Sequence, residues 1–402
     1  MQQTICLNMI VKNEENIIQD TLHNIIQHIN IDYWVIADTG SSDNTIKLIT
    51  DFFAEKNIKG EIHQHDWLNF SHNRNLALDL CQGKSDYIFI FDADDRFNGS
   101  FKLPSLTEDS YYFLMSNQGT EYQRPLLIKN NGQFFWRSVL HEFLQSKQTN
   151  HSKALISGDY HIVSGRFGHR SQDPEKYLKD AELLEAAYQQ NEDEDLKPRY
   201  AFYCAQSYRD AEYYQQAIEW YLKRIELGGW IEEVTCAYES LGICYEHLND
   251  NKSAIYYWLA GYDYNPNRIE CLYNAVRLLR IQGKCKLAYQ LGMIAKNIPF
   301  PKNDILFVKK SIHDFWINFE LSISAYYVND FQLGYQCCKK ILFSHPEPHI
   351  RDITINNLKF YQQQAAQDSV SEVNKLLDKL TADLSPKNNA TATEIIEYLK
   401  SL

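Results

Sequence analysis

The first third of the chain alternates short apolar runs with stretches whose apolar residues recur at helical spacing. Thr4 to Val11 is one such run; a polar turn at Lys12-Asn13-Glu14-Glu15 follows, and apolar positions at helical spacing then extend from Ile17 to Ile29. The pattern repeats with a strand over Tyr33–Ala37, the polar segment Asp38-Thr39-Gly40-Ser41-Ser42-Asp43, and a helix from Thr45 to Phe53. Glu61–His65 and Ser71–Cys81 read as a third strand and helix, and Asp86-Tyr87-Ile88-Phe89-Ile90-Phe91 is the strongest buried strand. Such alternation predicts an α/β fold, a doubly wound sheet whose ligands sit beyond the carboxyl ends of its strands. From Tyr111 short strands with Asn and Gly turns (Tyr111–Met115, Arg124–Lys129, Gln133–Trp136, Ala154–Val163) predict an antiparallel extension, so the sheet is mixed. Glu175–Gln190 reads as an amphipathic helix, and the acidic run Glu192–Asp195 as a solvated boundary.

Beyond about residue 196 strand signals nearly vanish and the pattern becomes all-α with a period. Ala217, Ala254 and Ala288 open similar stretches and Gly334 a weaker fourth, at intervals of 37, 34 and 46 residues. Upstream lie Ala205, Tyr208, Gly242 and Tyr245; downstream lie Pro266 and Pro346. The middle unit, Tyr238-Leu241-Gly242-Tyr245-Ala254-Trp258-Pro266, resembles the tetratricopeptide repeat, where small residues let paired helices approach and an aromatic fills the gap. The division expected is residues 1–190, then repeats over 196–365, then a helical tail or cap over 366–402. The concave face of such repeats is the natural seat of a peptide or partner.

Composition narrows the classes. A formal charge of -12 and the lack of any basic block disfavour nucleic-acid binding. No apolar stretch suffices to span a bilayer and the N-terminus lacks signal-peptide character, so a cytoplasmic protein without a transmembrane segment is expected. The 9 cysteines have neither CxxC spacing nor the density of a disulfide scaffold and read as reduced core thiols. The aromatic-rich helical half is compatible with a homodimer.

The chemistry concentrates at strand ends. Asp92-Ala93-Asp94-Asp95 directly follows the buried strand, and carboxylates two apart at a strand exit can converge on Mg²⁺ or Mn²⁺ and, through it, on a diphosphate. Asp38 closes an earlier strand; it suits an Asx turn as well as a ligand contact, with Gly40 permitting close backbone approach. Together with Met9–Glu15, Asn73-Arg74-Asn75 and Asp92/Asp94, the segment Ala37–Thr45 resembles the nucleotide-sugar-binding half of GT-A glycosyltransferases, in particular the inverting family 2. Thr39 stands where that family carries a second Asp.

The resemblance covers roughly residues 4–190, and repeats behind such a domain also occur in that family, including peptide S-glycosyltransferases of glycocin biosynthesis. It implies that Val11, Glu14, Asp38 and Arg74 contact the nucleoside of a UDP-sugar, UDP-glucose or UDP-N-acetylglucosamine being favoured, and that Asp92 and Asp94 take the diphosphate through Mn²⁺ or Mg²⁺. Trp136–Glu142 resembles a W-x-G-x-x-H-E segment with Ser138 in place of Gly; it offers Glu142 as general base and His141 as its rival. The loop Ser164–Arg170, leading to Lys176, supplies charge clamps in Arg166, Arg170 and Lys176, and either His161 or His169 as a third metal ligand. The activity implied is inverting, metal-dependent transfer of a sugar to a peptide, protein or glycan acceptor. The alternative is a repeat scaffold beside a catalytically silent transferase-like domain.

Overall fold

The computed structural model describes residues 3–117, 120–165, 173–190, 193–344, 346–383 and 390–402. The chain forms two compact units, Met1–Tyr213 and Tyr214–Leu402.

The N-terminal unit is built on strands β1 (Ile5–Val11), β2 (Tyr33–Asp38), β3 (Lys59–Gln64), β4 (Tyr87–Ile90), β5 (Asp95–Phe101), β6 (Ser110–Asn117), β7 (Thr120–Lys129), β8 (Phe134–Arg137), β9 (Phe143–Ser146), β10 (Lys153–Leu155) and β11 (Gly158–Ser164). The main sheet runs β3-β2-β1-β4-β7-β6-β11-β5, with β10 beside β6, and β8-β9 forms a separate hairpin. The first four strands are parallel; β7 then pairs antiparallel with both β4 and β6. The expected α/β order and antiparallel extension are both present.

Strand alternation sorts the core. Leu7, Met9, Ile36 and Phe89 pack with α1 (Ile18–His28) and α2 (Thr45–Glu55) on one face, whereas Cys6, Val35, Ile88 and Ile90 pack with α3 (Phe70–Leu80) and Trp136 on the other. That two-sided burial makes the strands read as continuous apolar runs. Two strands lie outside the sequence expectation. β5 follows Asp94 at once and carries Asn98-Gly99-Ser100, weak strand formers held by pairing with β11; β9 is a short half-buried partner of β8. The single run expected over Ala154–Val163 is broken into β10 and β11 at Ile156-Ser157. Helices α4 (Lys176–Gln190) and α5 (Lys197–Asp210) complete this unit.

The second unit is helical: α6 (Tyr214–Leu227), α7 (Ile231–His247), α8 (Asn251–Tyr264), α9 (Glu270–Ile281), α10 (Cys285–Lys296), α11 (Ile317–Ser324), α12 (Phe331–Phe343), α13 (Pro348–Leu358), α14 (Val370–Asp383) and α15 (Ala390–Lys400). Successive helices pack as hairpins, as the repeat pattern predicts. Gly242 shows why small residues recur: a Cβ there would lie 2.2 Å from Trp258 Nε1, and that indole donates to the Glu239 carbonyl at 2.9 Å. The 46-residue interval contains a non-helical segment after α10 and a π-helical turn, Ile312–Trp316, before α11. The C-terminal helices share a core of their own, with Leu376, Leu380, Ile395 and Leu399 packed on Tyr335 and Tyr361. All 9 cysteines are free and buried. Among the described residues no helix is long and apolar enough to cross a membrane.

Candidate active site

Parallel strands deliver their carboxyl ends to one edge of the sheet, where Val11 meets Asp38 in register and Phe91 N donates to the Asn8 carbonyl. A cleft of about 540 Å³ opens there. It is lined by Val11, Lys12, Glu14, Thr39, Asp92 and Asp94, by Trp67 and Phe70, and by Asp173 and Lys176.

Two loops at this edge are stitched together. Asn13, at φ 55°, accepts from Ser42 N through Oδ1 (2.8 Å), Glu14 N donates to Thr45 Oγ1 (2.7 Å), and Glu15 N donates to Asp43 Oδ2 (3.1 Å). Asp38 is fully buried and accepts from the amides of Gly40 (3.1 Å) and Ser41 (3.0 Å), an Asx turn that needs Gly40 at φ 99°. Asp38 therefore shapes the loop, while its neighbour Thr39 lines the cleft. Helix α2 starts at Thr45, whose amide is taken by Asp43 Oδ1 at 3.0 Å.

The segment Asn73-Arg74-Asn75 has three distinct jobs. Asn73 ties down the preceding turn, accepting from Leu68 N (3.0 Å) and donating to the Asp66 carbonyl (2.9 Å). Asn75 exchanges two hydrogen bonds with the backbone of Trp136 (2.7 and 2.9 Å), fastening the β8–β9 hairpin to α3. Arg74 lies between them, buried, 4.9 Å from the Trp136 ring centre, and donates to Asp92 Oδ1 and Glu142 Oε1, each at 2.7 Å. The structure thus brings Arg74, Asp92 and Glu142 together and spends the guanidinium on carboxylates.

Glu142 is carried by a strained turn. Ser138, at φ 81°, and His141, at φ 52°, both occupy the left-handed region, and buried Ser138 donates its hydroxyl to the Leu140 carbonyl at 2.5 Å. His141 is exposed and stacks on Tyr203, with ring centres 4.0 Å apart. Its carbonyl accepts from Arg199.

Asp92 is clamped on both oxygens, by Arg74 and by Arg124 Nη1 at 3.2 Å. Although burial opposes ionisation, the two guanidinium groups hold Asp92 well below the usual carboxylate range. Asp94 has no ion-pair partner among the described residues, and burial together with the charge of Asp92 pushes it up. Glu14 is pushed up to about 7 by burial, then by Asp94 and Asp43; Asp95, buried beneath with Arg124 Nη1 at 3.8 Å, is pushed up to about 7 by burial and by Asp92. Gly165 is fixed by close approach: its amide donates to the Asp94 carbonyl at 3.0 Å, and a Cβ would lie 2.1 Å from that oxygen.

Arg166, His169 and Arg170 lie outside the described residues. His161 sits on β11 opposite Asn98, its Nε2 3.3 Å from Asn98 Nδ2. No group of three His, Cys, Asp or Glu poised to hold a metal occurs among the described residues. The donor set nevertheless fits a hard divalent ion of the kind that takes one or two carboxylates and completes its shell with phosphate oxygens and water. Asp94 supplies hard oxygen, and the raised Asp94 and Glu14 mark a site short of positive charge.

Arg124 escapes sequence reasoning because only the β4–β7 pairing, Phe89 opposite Leu127, carries it to the Asp92 side of the sheet. Among the aromatics near this edge, Trp67 and Phe70 line the cleft, whereas Phe134 and Trp136 are core.

Residues 6–111 match the family model described as Glycosyl transferase family 2. No curated protein matches the chain. Among solved structures, similarity is found to S. aureus TarS residues 1–349 in complex with UDP-GlcNAc (13% identity, 64% of this chain and 91% of that one, TM-score 0.36). It is also found to a tetratricopeptide repeat protein from Parabacteroides merdae (12% identity, 56% and 93%, TM-score 0.35) and to MamA (14% identity, 42% and 87%, TM-score 0.33). Residues 6–111 of the N-terminal α/β unit thus carry the match to a family 2 glycosyl transferase, and an all-α unit follows.

Proposed function

We propose that the chain transfers a sugar, with inversion, from a UDP-sugar to a hydroxyl or thiol of a peptide, protein or glycan. The observation that carries this reading is the clamped Asp92 beside the uncompensated Asp94 at the carboxyl end of β4.

The charge balance argues for a divalent cation. Glu14, Asp92, Asp94 and Asp173 line the cleft against Lys12, Arg74 and Lys176, so an anionic diphosphate entering alone meets a net negative wall. Asp94 would hold Mn²⁺ or Mg²⁺, which when bound supplies neutralisation of the departing diphosphate. The nucleoside lies against Val11, Thr39 and the Glu14 loop, whose position Asp38 sets from behind. Lys176 faces the phosphates, with Arg166 and Arg170 as further clamps. Arg74 orients Asp92 and Glu142 rather than touching the nucleoside, because both carboxylates already occupy it.

Glu142 is the general base. One oxygen is held by Arg74; Oε2 makes no hydrogen bond among the described residues and is the atom offered to an acceptor proton. His141, stacked on Tyr203 and turned by its positive φ, shapes the acceptor-side loop. Transfer belongs to residues 1–190, the repeats to 196–365 and the cap to 366–402.

The test follows UDP release from UDP-N-acetylglucosamine and UDP-glucose with Mn²⁺. Asp94→Asn should lower turnover by about 10²–10³, the loss typical of removing one electrostatic stabiliser of a leaving group, with the fold intact by circular dichroism. Undiminished turnover in Asp94→Asn, or no UDP-dependent thermal shift in the wild-type chain, would overturn the reading.

A further inference from the structure

The segment between α10 and α11 crosses α7 and α9, and the way it is held resembles a bound peptide more than a loop. Its backbone is read by side chains of α7, of α9 and of the turn that joins α8 to α9. Glu232 Oε2 accepts the amides of Ile305 (2.7 Å) and Leu306 (2.8 Å), and Glu270 Oε1 accepts that of Lys309 (3.1 Å). Arg268, itself buried, donates to the carbonyls of Leu306 (3.3 Å) and Phe307 (3.4 Å) and to Asp304 Oδ2 (3.3 Å). Lys309 Nζ reaches Glu239 Oε1 at 2.5 Å.

We propose that residues 304–309 are a displaceable strap occupying, in cis, an extended-peptide site formed by Glu232, Glu239, Arg268 and Glu270, so that this groove opens only when the strap leaves. The chemistry that would replace the strap is an extended segment with an acidic residue at its head, an apolar centre and a basic residue at its foot. The inference concerns the helical unit alone and does not rest on the reading of the cleft.

Three observations favour displacement over permanence. None of the strap's apolar residues is fully buried: Ile305 is 75% and Phe307 42% exposed, and Leu306 and Val308 are half-buried, so the backbone bonds to Glu232, Arg268 and Glu270 are a large part of what holds it. Phe307 sits at φ 48°, a left-handed conformation that a bulky residue adopts only under constraint. The helices beneath remain paired without it, since α7–α8 and α9–α10 close through their own cores.

A fluorescein-labelled peptide of residues 302–310 tests this against the full-length chain. With residues 302–310 replaced by an equal-length Gly/Ser linker, the peptide should bind in trans and lose that binding in the added Glu232→Gln variant. The intact chain should bind it at least about tenfold more weakly, because a tethered competitor at roughly millimolar effective concentration already fills the site. Equal affinity for intact and linker chains, or no binding to a linker chain that still unfolds cooperatively, would overturn the proposal. If the linker variant does not fold, hydrogen exchange on the intact chain decides between displacement and permanence. The amides of Ile305, Leu306 and Lys309 should exchange by local opening, well before those of α7 and α9; release together with those helices would make the strap a fixed part of the fold.

Discussion

Both units bury arginine between carboxylates, and they settle the charge differently. In the helical unit Arg268 is matched by Glu270 at 2.9 Å and by Asp304, Lys309 is matched by Glu239, and Arg224 by Glu233 at 2.5 Å. Burial opposes ionisation of Glu270, yet Arg268 holds it below its usual value. In the N-terminal cleft Arg74 and Arg124 satisfy Asp92 and Glu142, while Asp94 and Glu14 keep no ion-pair partner among the described residues and are pushed upward. A closed network stabilises a geometry; an open one has capacity left for a ligand. Charge closure thus separates a groove already filled by the chain's own residues from a cleft still open to a ligand, without reference to motif.

The arginines are where this contrast breaks most readily. Arg268→Ala removes the guanidinium paired with buried Glu270, and Arg74→Ala removes that of Glu142 and one of the two on Asp92; each should cost about 3–5 kcal/mol in the denaturant transition of its own unit. A loss below about 1 kcal/mol for Arg268→Ala would mean that the helical network is solvated and does not hold α9 and the strap.

A smaller effect is expected where packing, not charge, sets the helical geometry. Gly242→Ala places a methyl against the Trp258 ring and should cost about 1–3 kcal/mol, with Gly242→Ser no better, as the ring is fixed by its bond to the Glu239 carbonyl. Unchanged melting would show that α7 and α8 can separate at no cost.

The finest discrimination comes from pH. Glu14 titrates near 7 in the folded chain against an ordinary value of 4.5, so between those values the folded state holds a proton that the unfolded chain has lost. Stability from this group is therefore present below about pH 4.5 and falls as pH rises to about 7. Asp95, also pushed up to about 7, acts in the same direction. In thermal melts Glu14→Gln should flatten that fall and raise the melting temperature at pH 8 relative to wild type; an unchanged pH slope would remove Glu14 from the uncompensated set.

Much of this was legible in the sequence, for reasons that differ by residue. Asp92 and Asp94 stood out because Tyr87–Phe91 is buried on both faces and so reads as an unbroken apolar run whose end is unmistakable. Gly242 and Trp258 were legible because a close helix crossing imposes size at fixed spacing. The roles within Asn73-Arg74-Asn75 were not, since their partners Asp66, Asp92, Trp136 and Glu142 lie on three other segments. Arg124 left no local trace, as its meaning depends on which strand lies beside β4. Asp38 offered both an Asx turn and a ligand contact, and only the paired amides of Gly40 and Ser41 reveal the turn. The strap announced itself solely as a lengthened interval between repeats.

The concealment of every thiol has a practical corollary. Burial raises the pKa of Cys236, Cys271, Cys337 and Cys338, which leaves the native sulfhydryls slow toward alkylating dyes. One engineered cysteine at the solvent-facing Ile305 would then be the fast-reacting nucleophile of an otherwise unaltered polypeptide. A fluorophore or spin probe attached there could watch the crossing segment lift in real time, without first stripping the protein of its own sulfur.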